Sequence, residues 1–373
     1  MSSPDLGITF NDPRLQQFMI RNSEHYLGLE DMLEAPSVVF NRGGMDDFWV
    51  TATNSVRRDE IFARIRSNEL IPVNADALQD FGNNHALFHY YLHTMGIPTI
   101  PTIIGLDGGP VACGDLHVET IDGVYFVKKS REGSHELSHG GRGISIVKIT
   151  PENVDDYLPR DLFSFLQPFV LPPGDFVRDT RVYMVGGEPV AGSVRRAQLP
   201  LTKGVRSGLY LPSELHYPSA RRPGPSERLE GDLKEATFAA ARQIAAALED
   251  VLRARKRPYS PFSIFGYGSI DFVQDSNGNP LPVDFDVSPS VTTFDGIDDI
   301  VAQRVAEYLR SLSEVGGSKR NIFCIGATHD TFLDQVFQHL NEIGVDPSRC
   351  LFREGVYYQA MREIAQSGLP SFS

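Results

Sequence analysis

Hydrophobic and polar positions along this chain follow two alternating periods. Ser37-Val38-Val39-Phe40-Asn41-Arg42 is a short apolar run that stops at Gly43-Gly44 and reads as a buried strand. Leu15–Met19 begins a helical pattern. Arg57–Arg66 (RRDEIFARIR) and Asn84–Met95 carry apolar residues near helical spacing, and Gly96 closes the second. From about residue 103 the pattern turns to short strands: Ile103–Ile104, Val124–Lys128, Ile144–Ile149, Phe163–Val170, Asp179–Val185 and Pro189–Arg195. Pro172-Pro173-Gly174 breaks the series, and Gly186-Gly187-Glu188 reads as a hairpin turn. Residues 199–229 are polar and rich in proline, which predicts a long loop. Glu230–Lys256 is the longest helical pattern, with an alanine-rich apolar face stopped by Arg257-Pro258. Ile297–Leu312 is a further helix. The chain ends in a strand (Asn321–Gly326), a helix (Thr331–Ile343) and a strand (Cys350–Phe352), a β-α-β unit.

Composition narrows the classes. With 373 residues, 41% apolar and 22% charged, the chain is long enough for two or three domains with a sizeable core. No apolar run approaches the ~20 residues of a membrane span, and the first residues, MSSPDLGITFNDPRLQ, lack the apolar centre of a signal peptide. A cytoplasmic, soluble protein without a membrane partner is the expectation. A formal charge of -13 argues against nucleic acid as partner. Cys113, Cys324 and Cys350 are odd in number and lack metal spacing, so they read as buried small residues in a reducing compartment.

Chemistry concentrates in Tyr267–Ser290, YGSIDFVQDSNGNPLPVDFDVSPS. Ser269–Val273 and Leu281–Val287 read as two strands joined by the turn-rich Gln274–Pro280. Asp284 and Asp286, two apart, face one side of a strand, and the hairpin brings Asp271 to that side. Carboxylates gathered without a base repel unless they share a cation; hard oxygen ligands suit Mg²⁺ or Mn²⁺, which also carry phosphates. A solvated acidic hairpin is the plain alternative.

Three further features lie upstream. Lys128 ends a strand before Lys129–Arg142, a loop ending in HGGRG, where backbone N–H groups of Gly140, Gly141 and Gly143 and the Arg142 fork suit phosphate. The strand Gln167 to Val170 would offer its backbone to an adenine edge. Asp179 and Arg181 share a strand face, and Arg196 follows on the returning strand, placed to stabilise developing negative charge. For each, an ordinary loop, core strand or ion pair is the alternative.

The order of these parts resembles the ATP-grasp superfamily, in the branch of glutathione synthetase and related carboxylate–amine ligases, over roughly residues 80–310. The resemblance implies an α/β (α+β) fold in which two subdomains clasp ATP beside a small Rossmann-like domain. It places that domain at 1–100, the lid subdomain at 101–170 and the catalytic subdomain at 171–317. Residues 318–373 then complete the first domain, as in a circular permutation. By resemblance, Lys128 and the Gly140–Gly143 loop hold the nucleotide phosphates. Gln167, Phe169 and Val170 hold adenine, and Asp179 lies near the ribose. Arg181 and Arg196 meet the acceptor carboxylate and acyl phosphate. Asp271, Asp284 and Asp286 ligate two Mg²⁺ ions, with Mn²⁺ as an alternative. Two departures stand out. Asp286 replaces the usual Asn, and His85 stands where a first phosphate-binding lysine is expected.

The activity implied is amide formation through an acyl phosphate, with ATP and an amino acid or peptide as partners and a homodimer as the default assembly. The alternatives are a peptide macrocyclase, an ATP-grasp kinase using Arg195, Arg196, Lys203, Arg206, Arg221 and Arg222 around a phosphorylated substrate, and a non-catalytic nucleotide-binding protein.

Overall fold

The computed structural model describes residues 29–42, 47–106, 109–128, 144–161, 164–170, 176–198, 226–289, 291, 294–317, 319–327 and 330–352. The helix begun at Leu15–Met19, the Gly140–Gly143 loop with Arg142, and most of the 199–229 stretch lie outside them. In chain order the strands are β1 (Ser37–Asn41), β2 (Leu70–Pro72), β3 (Thr102–Leu106), β4 (Gly109–Cys113), β5 (Gly123–Lys128), β6 (Ile144–Ile149) and β7 (Phe165–Pro168). They continue with β8 (Phe176–Val185), β9 (Glu188–Gln198), β10 (Ser226–Arg228), β11 (Tyr267–Gln274), β12 (Pro280–Asp286), β13 (Asn321–Ala327) and β14 (Ser348–Phe352). The helices are α1 (Leu29–Glu34), α2 (Asp47–Asn54), α3 (Arg58–Arg66), α4 (Gln79–Asn83), α5 (His85–Thr94), α6 (Gly231–Ala254), α7 (Ile297–Ser313) and α8 (Thr331–Glu342).

The chain divides into two compact units, one from residues 1–76, 256–264 and 302–373, the other from 77–255 and 265–301. In the first, a parallel sheet runs in the order β14-β13-β1-β2. Ser37 pairs with Asn321 and Asn41 with Ile325, so the strand near the chain's end lies directly beside the one near its start. Val38, Val39 and Phe40 are all buried, as expected of a parallel strand covered on both faces. One side of the core gathers Leu29, Met32, Phe48, Trp49, Ile61 and Ile65 from α1, α2 and α3 against Val39, Phe323 and Ile325. Asp330 caps α8, its carboxylate accepting from the Leu333 amide.

The second unit holds two five-stranded antiparallel sheets. The smaller runs β4-β3-β7-β5-β6 and the larger β10-β9-β8-β11-β12. The β8–β9 turn puts Gly186 and Gly187 at φ 61° and 77°, the left-handed pair that a two-residue hairpin requires. The 199–229 stretch was expected to be all loop, yet Ser226–Arg228 pairs with β9 as an edge strand. α6 turns Phe238, Ala241, Ile244, Ala245, Leu248 and Leu252 inward, a period of three to four that matches its packing on β8, β9 and β12.

Helix α5 joins the two sheets. Asn84 caps it by accepting from the Leu87 amide. Ala86 packs with Ile104 and Phe165 of the smaller sheet, while Phe88 stacks on Phe285 of the larger with ring centroids 5.8 Å apart. Cys113 and Cys324 are buried, and burial pushes the Cys113 thiol up, away from reactivity.

The smaller sheet is sensitive at Gly105. A Cβ there would lie 2.4 Å from the Asp161 backbone nitrogen and 2.5 Å from its oxygen, so the neighbouring backbone must move. Gly105→Ala is expected to cost about 1–3 kcal/mol, read as a lower urea midpoint at an unchanged slope.

Candidate active site

The β11–β12 hairpin starts from its turn. Asp275 accepts from the amides of Asn277 and Asn279 and from the Asn279 side chain, and Gly278 takes φ 85°. The Asn279 hydrogen bonds hold the Asp275 carboxyl below its ordinary range. This closed turn sets the register nearest to it, Gln274 opposite Pro280 and Val273 opposite Leu281.

The pairing then shifts by one residue. Phe272 faces Pro282, but Asp271 faces Asp284, so Val283 is an extra residue, a β-bulge in β12. Had the turn-side register continued, Asp271 would have faced Val283, and Asp284 and Asp286 would have turned to the opposite side of the sheet. The bulge therefore sets the three carboxylates on one face. Across the sheet they form two rows: Ser193, Arg181, Asp271 and Asp284, then Ala191, Tyr183, Ser269 and Asp286.

Arg181 holds Asp271 with both ends of its fork, Nε to Oδ1 at 2.7 Å and Nη2 to Oδ2 at 2.8 Å. Their side chains are 15% and 7% exposed. Burial by itself would lower the guanidinium's pKa, but the Asp271 charge and its hydrogen bonds overcome that and hold it well above its ordinary value. Asp284 Oδ1 lies 2.8 Å from His85 Nε2 and accepts from the Phe285 amide at 2.8 Å. Asp286 accepts from the Ser288 amide. Its carboxyl is pushed up, chiefly by burial and further by Asp284 and Asp271, against the opposing pull of Arg181 and the Ser288 hydrogen bond. Ser269, fully buried between Tyr183 and Asp286 in the ladder, has a hydroxyl with no hydrogen-bond partner among the described residues.

These observations test the fit of a divalent cation. An all-oxygen donor set, a carboxyl held up by its neighbours and a buried unsatisfied hydroxyl suit a hard cation. Both oxygens of Asp271, however, are taken by Arg181, and no group of three His, Cys, Asp or Glu among the described residues is arranged to hold an ion. The set fits an ion held by one or two carboxylates, Asp284 and Asp286, with its remaining ligands from phosphate and water.

The other expected site residues are placed as follows. Lys128 ends β5, opposite Ile144 and Phe165. Gln167 is buried and donates to Thr102 Oγ1 at 2.8 Å, and the Phe169 amide donates to Val124 O, so both serve the smaller sheet. Val170 follows directly on this segment. Asp179 stands opposite Arg195 and Val273, while Arg196 stands opposite Arg178. Asp179 and Arg195 thus lie on the face of Arg181 and Ser193, whereas Arg196, opposite Arg178, occupies a position of the other face of the sheet. His85, expected at a phosphate, meets Asp284. Ser269 and Val283 escaped sequence reasoning because neither a buried hydroxyl nor a bulge leaves a pattern. His89 carried a findable signal, its spacing of four from His85 on one helix face.

No protein-family model and no curated protein matches the chain. Among solved structures it is similar to D-cycloserine synthetase DcsG, at 14% identity over 80% of this chain and 95% of that one, with a TM-score of 0.43. It is also similar to D-alanine–D-alanine ligase from Bacillus anthracis, at 12% identity over 75% and 99%, TM-score 0.41. A third is macrocyclase MdnC bound with precursor peptide MdnA, from Microcystis aeruginosa, at 14% identity over 75% and 80%, TM-score 0.41.

Two expectations follow from the geometry. The Asp286 carboxyl titrates above the ordinary value of 3.8. Between those two pKa values the folded chain keeps a proton that the unfolded chain has released, so stability falls as pH rises through the window. Asp286→Asn removes that loss. Without divalent ions, the variant's Tm should gain on wild type as pH rises above the ordinary carboxylate value of 3.8. Arg181→Met strands the buried Asp271 charge and should cost about 3–5 kcal/mol, measured by urea unfolding. Pairing it with Asp271→Leu should recover most of the loss, whereas additive losses would mean the two residues are not coupled.

Proposed function

We propose that this chain is an ATP-dependent ligase that joins a carboxylate to an amine of amino-acid or peptide substrates through an acyl phosphate. The observation that carries the reading is the face of the larger sheet on which one buried guanidinium meets three carboxylates, one of them short of countercharge. Such a face suits polyphosphate brought in with its cation. The order of the parts along the chain supports it: a lysine-ended strand, a glycine loop, the Arg181 hairpin and then the carboxylate hairpin.

In this reading Asp284 and Asp286 would hold Mg²⁺, which would supply charge neutralisation for the phosphates. Asp271 keeps Arg181 rigid and fully protonated. The acceptor's carboxylate oxygen attacks the γ-phosphorus and ADP leaves. An amine nitrogen then attacks the acyl carbon, phosphate leaves with its bonding pair, and the nitrogen sheds a proton. Arg181 presents fixed positive charge near the developing negative charge, so little reorganisation is needed as it appears. Lys128, the Gly140–Gly143 loop with Arg142, and the segment Gln167–Val170 are proposed for nucleotide binding, Asp179 for the ribose and Arg181 for the acyl phosphate, while Arg196, at a position of the other sheet face, is given no part in that step.

The test is phosphate release from Mg-ATP over a panel of amino acids and short peptides, singly and in pairs, with mass detection. A product lighter by one water than the sum of a pair identifies the ligase. Loss of one water from a single peptide identifies a macrocyclase acting by the same chemistry. A product gaining a phosphoryl group overturns the ligase in favour of a kinase. Asp286→Ala is expected to lower turnover by at least about 10²-fold, and a variant with wild-type turnover would remove the assignment of this face.

A further inference from the structure

Helix α5 carries two histidines one turn apart, and both meet β12. His85 Nε2 lies 2.8 Å from the Asp284 carboxylate. His89 Nε2 lies 3.3 Å from the carbonyl oxygen of Val283, the bulge residue. His89 is fully buried. Its other nitrogen faces Thr99 Oγ1 at 3.1 Å, and its ring lies 5.6 Å from that of Phe165 in the smaller sheet.

We propose that His89 is a positioning residue that pins the Val283 bulge and so holds Asp284 and Asp286 on the Arg181 face. The inference rests on the reading of that face given above. The extra residue of a bulge falls out of the regular ladder, and its half-buried carbonyl is satisfied by a donor from outside the strand pair. A carbonyl can only accept, so Nε2 carries the proton; Nδ1 then accepts from the Thr99 hydroxyl. The Val283 carbonyl thus sets the tautomer, and the Thr99 hydroxyl, able to donate or accept, satisfies the nitrogen left over. The bulge alone separates the observed register from one that would send both carboxylates to the opposite side. His85, one turn earlier, holds the residue that follows the bulge. Together the two histidines fix a backbone atom and a carboxylate at adjacent positions of the same strand.

The test uses three variants of the full chain: His89→Leu, which keeps bulk and removes both hydrogen bonds; His89→Gln, which restores a donor; and Thr99→Val, which removes the hydroxyl that supports the ring at Nδ1. Two readouts are taken: hydrogen exchange of the β12 amides, and the Mg²⁺ concentration giving half-maximal binding of a non-hydrolysable ATP analogue. For His89→Leu, exchange at Val283–Asp286 should speed up at least tenfold while α6 keeps its protection. Half-saturating Mg²⁺ should rise about 10- to 100-fold, with His89→Gln recovering most of both changes and Thr99→Val falling between. If His89→Leu does not fold, Thr99→Val and His89→Gln decide. Wild-type exchange in β12 across the folded variants overturns the pin. Faster β12 exchange in a protein whose wild type binds no nucleotide with Mg²⁺ keeps the pin and overturns the ligase reading instead.

Discussion

One extra residue in a β-strand governs the chemistry available to this chain. Strand side chains alternate between faces, so a single-residue shift moves every later side chain to the other side. The Asp275 turn fixes the pairing at one end of the β11–β12 hairpin, and the Val283 bulge resets it before the carboxylates are reached. The result is a concentration of negative charge beside one buried guanidinium. Arg181 can satisfy only one carboxylate with its fork, and it satisfies Asp271. Asp284 turns to His85, and Asp286, helped by a single backbone amide, remains under-compensated. A face built this way concentrates negative charge that Arg181 only partly offsets at Asp286.

Helix α5 is the element on which this arrangement leans. Ala86 reaches the smaller sheet, Phe88 and His85 reach the larger, and His89 touches Phe165 with its ring face and Val283 with its nitrogen. A short helix with four contacts of that kind transmits any displacement of one sheet to the carboxylate strand of the other. Side chains packed at interior density move together or not at all. The smaller sheet and the carboxylate strand of the larger therefore share one support in α5.

Much of this was legible in the sequence because it rests on local rules. The Asp-Ser-Asn-Gly turn, the alternation around Asp271 and the period of α6 each announce themselves within a few residues, and β8, β9, β11 and β12 fall where those rules put them. What escaped depends on pairing between distant segments. Whether Arg195 or Arg196 shares a face with Arg181 is decided by the β8–β9 register, which chooses Arg195. The engagement of Gln167 with Thr102 is decided by β3 and β7. β10 reads as loop because three residues gain a strand's hydrogen bonds only once β9 is beside them. The short helices α1 and α2 are held by the packing of their apolar residues rather than by propensity.

The parallel sheet of the first unit sets a different constraint. Its central pair, β1 and β13, joins residues from near the two ends of the chain, and β13–α8–β14 fills one half of the sheet. Closing so long a loop costs only slowly growing entropy, so the arrangement is thermodynamically cheap, yet it is kinetically late. Unit two lies almost wholly between β2 and β13 in the chain, and its sheets close through hairpins of neighbouring strands. Local contacts form first and distant ones last. The second unit can therefore complete its hairpins during synthesis, whereas β1 keeps an unpaired parallel edge until Asn321–Ala327 has been made. An unpaired edge rich in Val38, Val39 and Phe40 is an aggregation risk for as long as it waits. The stability of the first unit is thus tied to the integrity of the last strand-helix-strand, and truncation there removes a neighbour of β1 rather than an appendage.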